Sequence, residues 1–243
     1  MKSTIKAIAA VVMFSSFSAN ATLVNSGFEE GNLSSWSFLG EASVVQTDTP
    51  LYEGAPIGTV NPDSGNWMAR LFSQSVAAET LASAMGISLA TLQASNDSVS
   101  ATEGSMIWQS TTASAGDSFT FNWNFVEQDY LPFDDWAFYG IQLNGGATQV
   151  FKFASLGSVG PERDGTINGW EALTVDITET GNYTFFFGIV NAVDFSLEST
   201  LFIDGITGTG SLITDTTEVP EPTSLAILGL GLAGLLVRRR IKK

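Results

Sequence analysis

The sequence predicts an all-β chain, folded as an antiparallel β-sandwich of the jelly-roll kind with a small helical insertion. Three observations predict it. Aromatic residues make up 11% of the 243 positions and glycines number 24, while charged residues are only 14%. Such a composition fills strands and a core, where a disordered chain would be poor in apolar residues and rich in charge. Nine short runs alternate apolar and polar residues with period two. Turn signals separate them, among them Ala115-Gly116-Asp117, Asn144-Gly145-Gly146 and Thr180-Gly181-Asn182.

In chain order the runs begin at residues 42–47, the weakest of the set. Residues 67–72 and 105–110 follow. Residues 118–126 alternate most clearly, with Phe119, Phe121, Trp123 and Phe125 on one face and Asn122 and Asn124 on the other. Residues 136–143, 148–153, 172–177, 183–190 and 200–206 complete the sandwich, which spans 22–209. One segment breaks the pattern. Residues 76–85 and 88–94 read as two short helices, with Gly86 as the stop of the first and Ser88 as the cap of the second. They are expected to pack over a sandwich edge or to form a lid. Residues 210–218, polar and Thr-rich, read as a linker.

The sequence contains no Cys and no His. That excludes disulfides, Cys/His zinc sites, thiol nucleophiles and Ser-His-Asp catalysis. Any metal must be hard and oxygen-bound, with Ca²⁺ the first candidate. The net charge is −15, unevenly spread. Between Thr22 and Glu218 only Arg70, Lys152 and Arg163 are basic, against every acid but Glu221. That segment carries about −21, which repels nucleic acid and anionic lipid and suits cations or neutral polymers such as sugars.

The two ends read as addresses. Residues 1–21 have the parts of a secretory signal peptide: Lys2 and Lys6, an apolar stretch, and Ala19-Asn20-Ala21 as a small-x-small site for signal peptidase. At the other end stand Val219, Pro220, Glu221 and Pro222, then residues 224–237 without a charge, then Arg238, Arg239 and Arg240 with Lys242 and Lys243. At about 1.5 Å per residue the uncharged run is a helix of roughly 21 Å, shorter than a hydrocarbon core of about 30 Å. The basic tail keeps that end cytoplasmic. Taken alone, it is a short transmembrane tail anchor.

This tripartite end resembles the PEP-CTERM sorting signal of Gram-negative bacteria. The resemblance implies recognition by an exosortase of the inner membrane, transient residence there through 224–237, cleavage near Pro220-Glu221-Pro222, and delivery to the cell surface or extracellular matrix. It also implies a host that makes exopolysaccharide. A second resemblance joins the two ends of the domain. Asn25-Ser-Gly-Phe28-Glu29 with Trp36, and Leu201-Phe-Ile-Asp204-Gly205-Ile206, resemble the opening and closing strands of galactose-binding-like sandwiches, including carbohydrate-binding modules. It implies that these strands are neighbours and that a structural Ca²⁺ sits near Glu29 and Asp204. Gly205 departs from the pattern, which has Asn or Asp there. Residues 101–109, 115–125 and 133–138 resemble a domain common among PEP-CTERM proteins, for which no activity is implied.

Glu127, Asp129, Asp134 and Asp135 form a dense acidic loop between two strong strands. They either wrap a Ca²⁺ or line a solvated loop; their spacing is not that of an EF-hand. Paired carboxylates also serve glycosidases, but spacing in sequence fixes no distance between them. Most aromatic residues alternate with polar ones and belong to the core. Tyr130 and Trp170 stand in or beside polar loops and are the candidate sugar platforms. The expected protein is therefore non-catalytic and surface-sorted, associating with exopolysaccharide in biofilm or floc. A secreted carbohydrate-active hydrolase and a self-assembling structural surface protein are the alternatives.

Overall fold

The computed structural model describes residues 23–52, 54–156, 166–167 and 169–209. The chain divides into two units, Met1–Ser211 and Leu212–Lys243, and the described residues all belong to the first. The expected signal peptide 1–21, linker 210–218, sorting signal 219–243 and transmembrane helix 224–237 lie outside them. Among the described residues no helix is long and apolar enough to cross a membrane.

The chain opens with β1 (Ser37–Leu39), β2 (Ala42–Val45) and a small hairpin, β3 (Leu51–Tyr52) and β4 (Ala55–Pro56). Next come β5 (Met68–Phe72), β6 (Val76–Ala77), α1 (Ala78–Ala84) and α2 (Leu89–Ala94). The remainder is strand: β7 (Ala101–Ala113), β8 (Ser118–Glu127), β9 (Trp136–Leu143), β10 (Gln149–Ser155), β11 (Thr166–Ile167), β12 (Glu171–Asp176), β13 (Gly181–Ala192) and β14 (Thr200–Thr209).

Two antiparallel sheets face each other. The first runs β1-β7-β13-β9-β10, with β6 also on β7; the second runs β11-β8-β14-β5-β2, with β12 also on β8. Leaving the short strands aside, the orders are β7-β13-β9-β10 and β12-β8-β14-β5. Each successive strand crosses to the other sheet except at the β9–β10 hairpin. That is the jelly roll, as the sequence predicts.

Inward residues of β8 and β13 build the centre. Phe119 meets Phe185 at 4.6 Å between ring centroids, and Phe121 meets Phe187 edge-on at 4.7 Å. Each such aromatic pair contributes about 0.5–1.5 kcal/mol beyond the area it buries. Phe28 and Trp36 close one part of the core, with Trp36 against Phe187 at 6.2 Å. The opening motif is thereby explained. Asn25 accepts from Glu30 N and its carbonyl takes the Trp36 indole N–H at 3.1 Å, which turns the chain so that Phe28 and Trp36 both point inward. The first and last segments are neighbours as the resemblance implies, with Ile206 N donating to Ser26 O at 3.2 Å.

The helices depart from the expected place. They cover the outer face of the first sheet, not an edge. Met106, Trp136, Phe138, Phe186 and Val190 point away from the sandwich and form a second core with Leu81, Ala82, Met85 and Leu92. Five apolar side chains on an outward face need a cover, and the two amphipathic helices supply it. Val76 and Ala77 pair with β7 before the helix starts, so α1 is shorter than the predicted 76–85. The second helix is as predicted: Ser88 Oγ accepts from Thr91 N at 3.1 Å. β1, β3, β4, β6 and β11 have two or three residues each, too few to show a period. On the second sheet, the β2–β5 connection covers Met68, Val126 and Phe202 with Val60.

The β7–β13 pairing leaves no room at Gly104, where an added Cβ would run into the carbonyl oxygen of Ile189. Gly104→Ala is expected to lower the unfolding free energy by about 1–3 kcal/mol, as overpacking does. Chemical denaturation of both proteins checks this; equal midpoints would contradict it.

Candidate functional site

The jelly roll leaves part of the outer face of the second sheet open. There a cleft of about 450 Å³ lies between the β3–β4 hairpin, β5, the end of β8 and the segment before β14. β5 runs Met68-Ala-Arg70-Leu-Phe72, so Ala69 and Leu71 enter the core while Arg70 and Phe72 face out. The Arg70 guanidinium is fixed from three sides. Nη1 donates to Asp48 Oδ1 at 2.9 Å, Nε to Ser43 Oγ at 3.3 Å, and Cζ stands 4.8 Å from the centre of the Phe72 ring. Gln128 ties the walls together: Nε2 donates to Leu51 O, and Oε1 accepts from Thr200 Oγ1 at 3.0 Å. Tyr52 and Glu198 also line the cleft. The result is apolar surface beside planar polar groups held at defined angles, an arrangement suited to a polyhydroxylated ligand.

One wall comes from the segment 193–198. Val193 has φ +71° and Leu197 φ +55°, a left-handed conformation uncommon for such side chains. Val193 N donates to Ser100 O at 2.8 Å, and Thr102 Oγ1 donates to Asp194 O at 2.6 Å. Those bonds offset the backbone strain. Phe195 projects from the segment, 67% exposed.

The acids singled out in the sequence fall into separate places. Glu29 and Asp204 do come together, on either side of the turn before β5. Glu29 accepts from Asn66 N at 3.0 Å and Trp67 N at 3.1 Å. Asp204 Oδ2 accepts from Ser64 N at 2.9 Å, and Oδ1 from Gly205 N at 2.6 Å. Gly205 has φ +57° in the irregular part of β14 after Asp204, a conformation glycine adopts without strain. Backbone N–H groups make the shorter bonds to both carboxylates, with Asn66 Nδ2 and Ser64 Oγ at 3.5 Å, so the pair clasps the turn.

Asp129 and Asp135 are both buried and interact electrostatically, and Glu127 is buried at the end of β8. Asp134 turns elsewhere, accepting from Asn96 Nδ2 at 3.1 Å, while Lys152 Nζ holds Asn96 Oδ1 at 2.6 Å. Among the described residues no three acidic side chains meet closely enough to hold a metal by themselves. Tyr130 is exposed and meets Phe133 edge-on at 5.2 Å. Trp170 is spent on structure: its indole N–H donates to Asn61 O at 2.8 Å and its ring packs on the cluster beneath the β2–β5 connection. Reading the sequence missed the cleft. Its one available signal was Arg70, a rare cation in an acidic segment, alternating with apolar residues.

Residues 218–240 match the PEP-CTERM protein-sorting motif. The motif marks the chain for export, exosortase processing and sorting to the cell surface. A comparison with curated proteins gives no match. Among solved structures, carbohydrate-binding-module sandwiches are neighbours. TmCBM61 in complex with β-1,4-galactotriose has 14% identity over 78% of this chain and 98% of its own, with a TM-score of 0.43. A family 16 carbohydrate-binding module has 12% identity, covering 76% and 97%, with a TM-score of 0.38. The K3 cleaved adhesin domain of Lys-gingipain from Porphyromonas gingivalis W83 has 14% identity, covering 76% and 96%, with a TM-score of 0.38.

Burial pushes three carboxyls up from 3.8: Asp135 to about 8, Asp129 and Asp204 to about 6. Donors from Ala192, Tyr130 and Ser64 respectively oppose the shift, and a neighbouring acid adds to it in each case. Such a carboxyl stabilises the fold fully below its unfolded pKa, and that contribution is lost as pH rises through the folded value. Stability is therefore expected to fall from about pH 4 to about 6 through Asp129 and Asp204, and on to about 8 through Asp135. Thermal denaturation in EDTA across this range checks the sign. Asp135→Asn is expected to flatten the profile between about pH 6 and 8, and an unchanged slope there would contradict it.

Proposed function

We propose that this chain is a non-catalytic surface protein that binds polysaccharide through the cleft beside β5. The carrying observation is the fixed Arg70–Asp48 pair stacked on Phe72 and facing Gln128 and Tyr52. A sugar ring offers C–H faces to an aromatic ring and vicinal hydroxyls to planar donors and acceptors, and the cleft presents both. The groups are already held in place, which lowers the entropy lost on binding. The surface carries strong negative charge, which favours neutral glycans, or acidic ones with a cation between.

The domain would be exported under a signal peptide at 1–21 and sorted by 219–243, with cleavage near Pro220-Glu221-Pro222 after transient anchoring through 224–237. Exopolysaccharide of the host's own matrix, in biofilm or floc, is the polymer such an address brings within reach. A hydrolase would need two working carboxylates about 5–10 Å apart. In the cleft Asp48 is committed to Arg70, which leaves Glu198 as the other acid lining it. That supports binding over turnover.

Affinity electrophoresis of the purified full-length chain in gels containing the host exopolysaccharide, beside a panel of plant and bacterial polysaccharides, tests the reading. Retardation by at least one polymer is expected. Arg70→Ala is expected to weaken it about tenfold or more, in line with the loss of a central anchoring group. No reducing sugar should appear on long incubation. Retardation unchanged in Arg70→Ala would move binding away from the cleft, and sugar release abolished by Glu198→Gln would make the protein an enzyme.

A further inference from the structure

The inner faces of the sandwich are apolar along most of their length and end in a polar layer. Alternation carries Leu71 on to Ser73, Phe125 on to Glu127, Ala137 back to Asp135, Ile189 on to Asn191 and Leu201 back to Ser199. All five end residues are buried. The registers bring them together. Thr200 pairs with Phe72 and Val126, so Ser199 lies beside Ser73 and Glu127; Val190 pairs with Trp136, so Asn191 lies beside Asp135. Hydrogen bonds knit the layer: Ser73 Oγ and Ser199 N donate to Asp135 Oδ2 at 3.0 and 3.2 Å, and Ala192 N donates to Oδ1 at 2.9 Å. Asp129, only 1% exposed, interacts electrostatically with both Asp135 and Asp194.

Two oxygens in this region stand out. Asp129 Oδ1 accepts from Tyr130 N at 2.7 Å, but Oδ2 has no hydrogen-bond donor. The Asn191 amide nitrogen donates to Ser196 O at 3.2 Å, and Oδ1, fully buried, has no donor either. Both orphaned atoms are acceptors. Among the described residues no basic side chain faces Asp129 or Asp135. Two buried carboxyl groups and an unpaired amide oxygen thus stand without a basic partner, and a bound cation would satisfy the orphaned acceptors.

We propose that a hard divalent cation of the calcium class sits in this end layer, held by Asp129, Asp135 and the amide oxygen of Asn191. Backbone oxygens and water fill the rest of its six to eight positions. Of the acidic loop read in the sequence, Glu127 and Asp134 drop out and Asn191, 56 residues beyond Asp135 in sequence, joins. The ion ties the β8–β9 loop to segment 191–199 and so steadies the strained wall carrying Phe195 and Glu198. The proposal stands independently of any glycan in the cleft.

Calorimetric titration of the full-length chain with CaCl₂ tests it, with terbium luminescence excited through the neighbouring Tyr130 as a second readout. A dissociation constant on the order of 10⁻⁴–10⁻³ M is expected, as in other extracellular modules. Asp129→Asn and Asn191→Leu should each weaken binding about tenfold or more, while Asn191→Asp, which keeps an oxygen in place, retains it. Glu29→Gln, at the other acidic site, should leave the affinity unchanged. Absence of calcium binding to the unmodified chain would overturn the proposal. So would affinity unaltered in Asn191→Leu, loss in Asn191→Asp, or loss in Glu29→Gln.

Discussion

The edge-on packing of Phe121 on Phe187, between the middle of β8 and the middle of β13, is the contact on which the rest of the molecule depends. These strands sit inside opposite sheets, and each carries four inward apolar residues in succession. Once that layer closes, every neighbouring strand has its register set by alternation, because a slip of one residue would turn the aromatic face to solvent. The jelly-roll crossings then follow, since consecutive strands must lie in opposite sheets to put their apolar faces toward the same space.

Closing the interior leaves two outward faces, and the chain treats them differently. The first sheet turns a second set of large apolar residues outward and is covered by α1 and α2. The second sheet is covered only in part, by the β2–β5 connection over Val126 and Phe202. What stays open is the strip of β5 bearing Arg70 and Phe72, and the walls built by the hairpin and segment 193–198 make it concave. The cleft is thus what remains of a sheet face after its apolar half has been buried.

The same alternation accounts for the buried acids. An inward register cannot switch from apolar to polar without placing the polar residue inside, and at one end of the sandwich five strand ends do this together. Asp135 meets the difficulty with three donors from Ser73, Ser199 and Ala192, and its neighbour Asp129 with one. At the opposite ends of the domain sequence, Glu29 and Asp204 solve a different problem, fastening the turn that leads into β5 through its backbone N–H groups. Two acidic groupings that look alike in sequence therefore do different work, one fastening a turn and the other filling the end of the core.

Legible in the sequence were the sandwich, most of its strands, the second helix with its Ser88 cap, and the sorting signal, read at 219–243 and matched at 218–240. Period-two alternation, turn residues and an ordered terminal motif are local, and local information is complete within a few residues. It did not reach the two-residue strands, which have no period to display, or the placement of the helices on a face, which depends on outward apolar residues from β7, β9 and β13. Nor did it reach the cleft. Asp48, Arg70, Gln128 and Glu198 are scattered over 150 residues, and Trp170, which looked like a loop platform, was claimed by a cluster built from β5, β8, β14 and the β2–β5 connection. Asn191 joins Asp129 and Asp135 only because β13 pairs with β9. Which residues share a strand face is written in the spacing of side chains; which strands share a site is decided by non-local pairing, and only the tertiary structure supplies that.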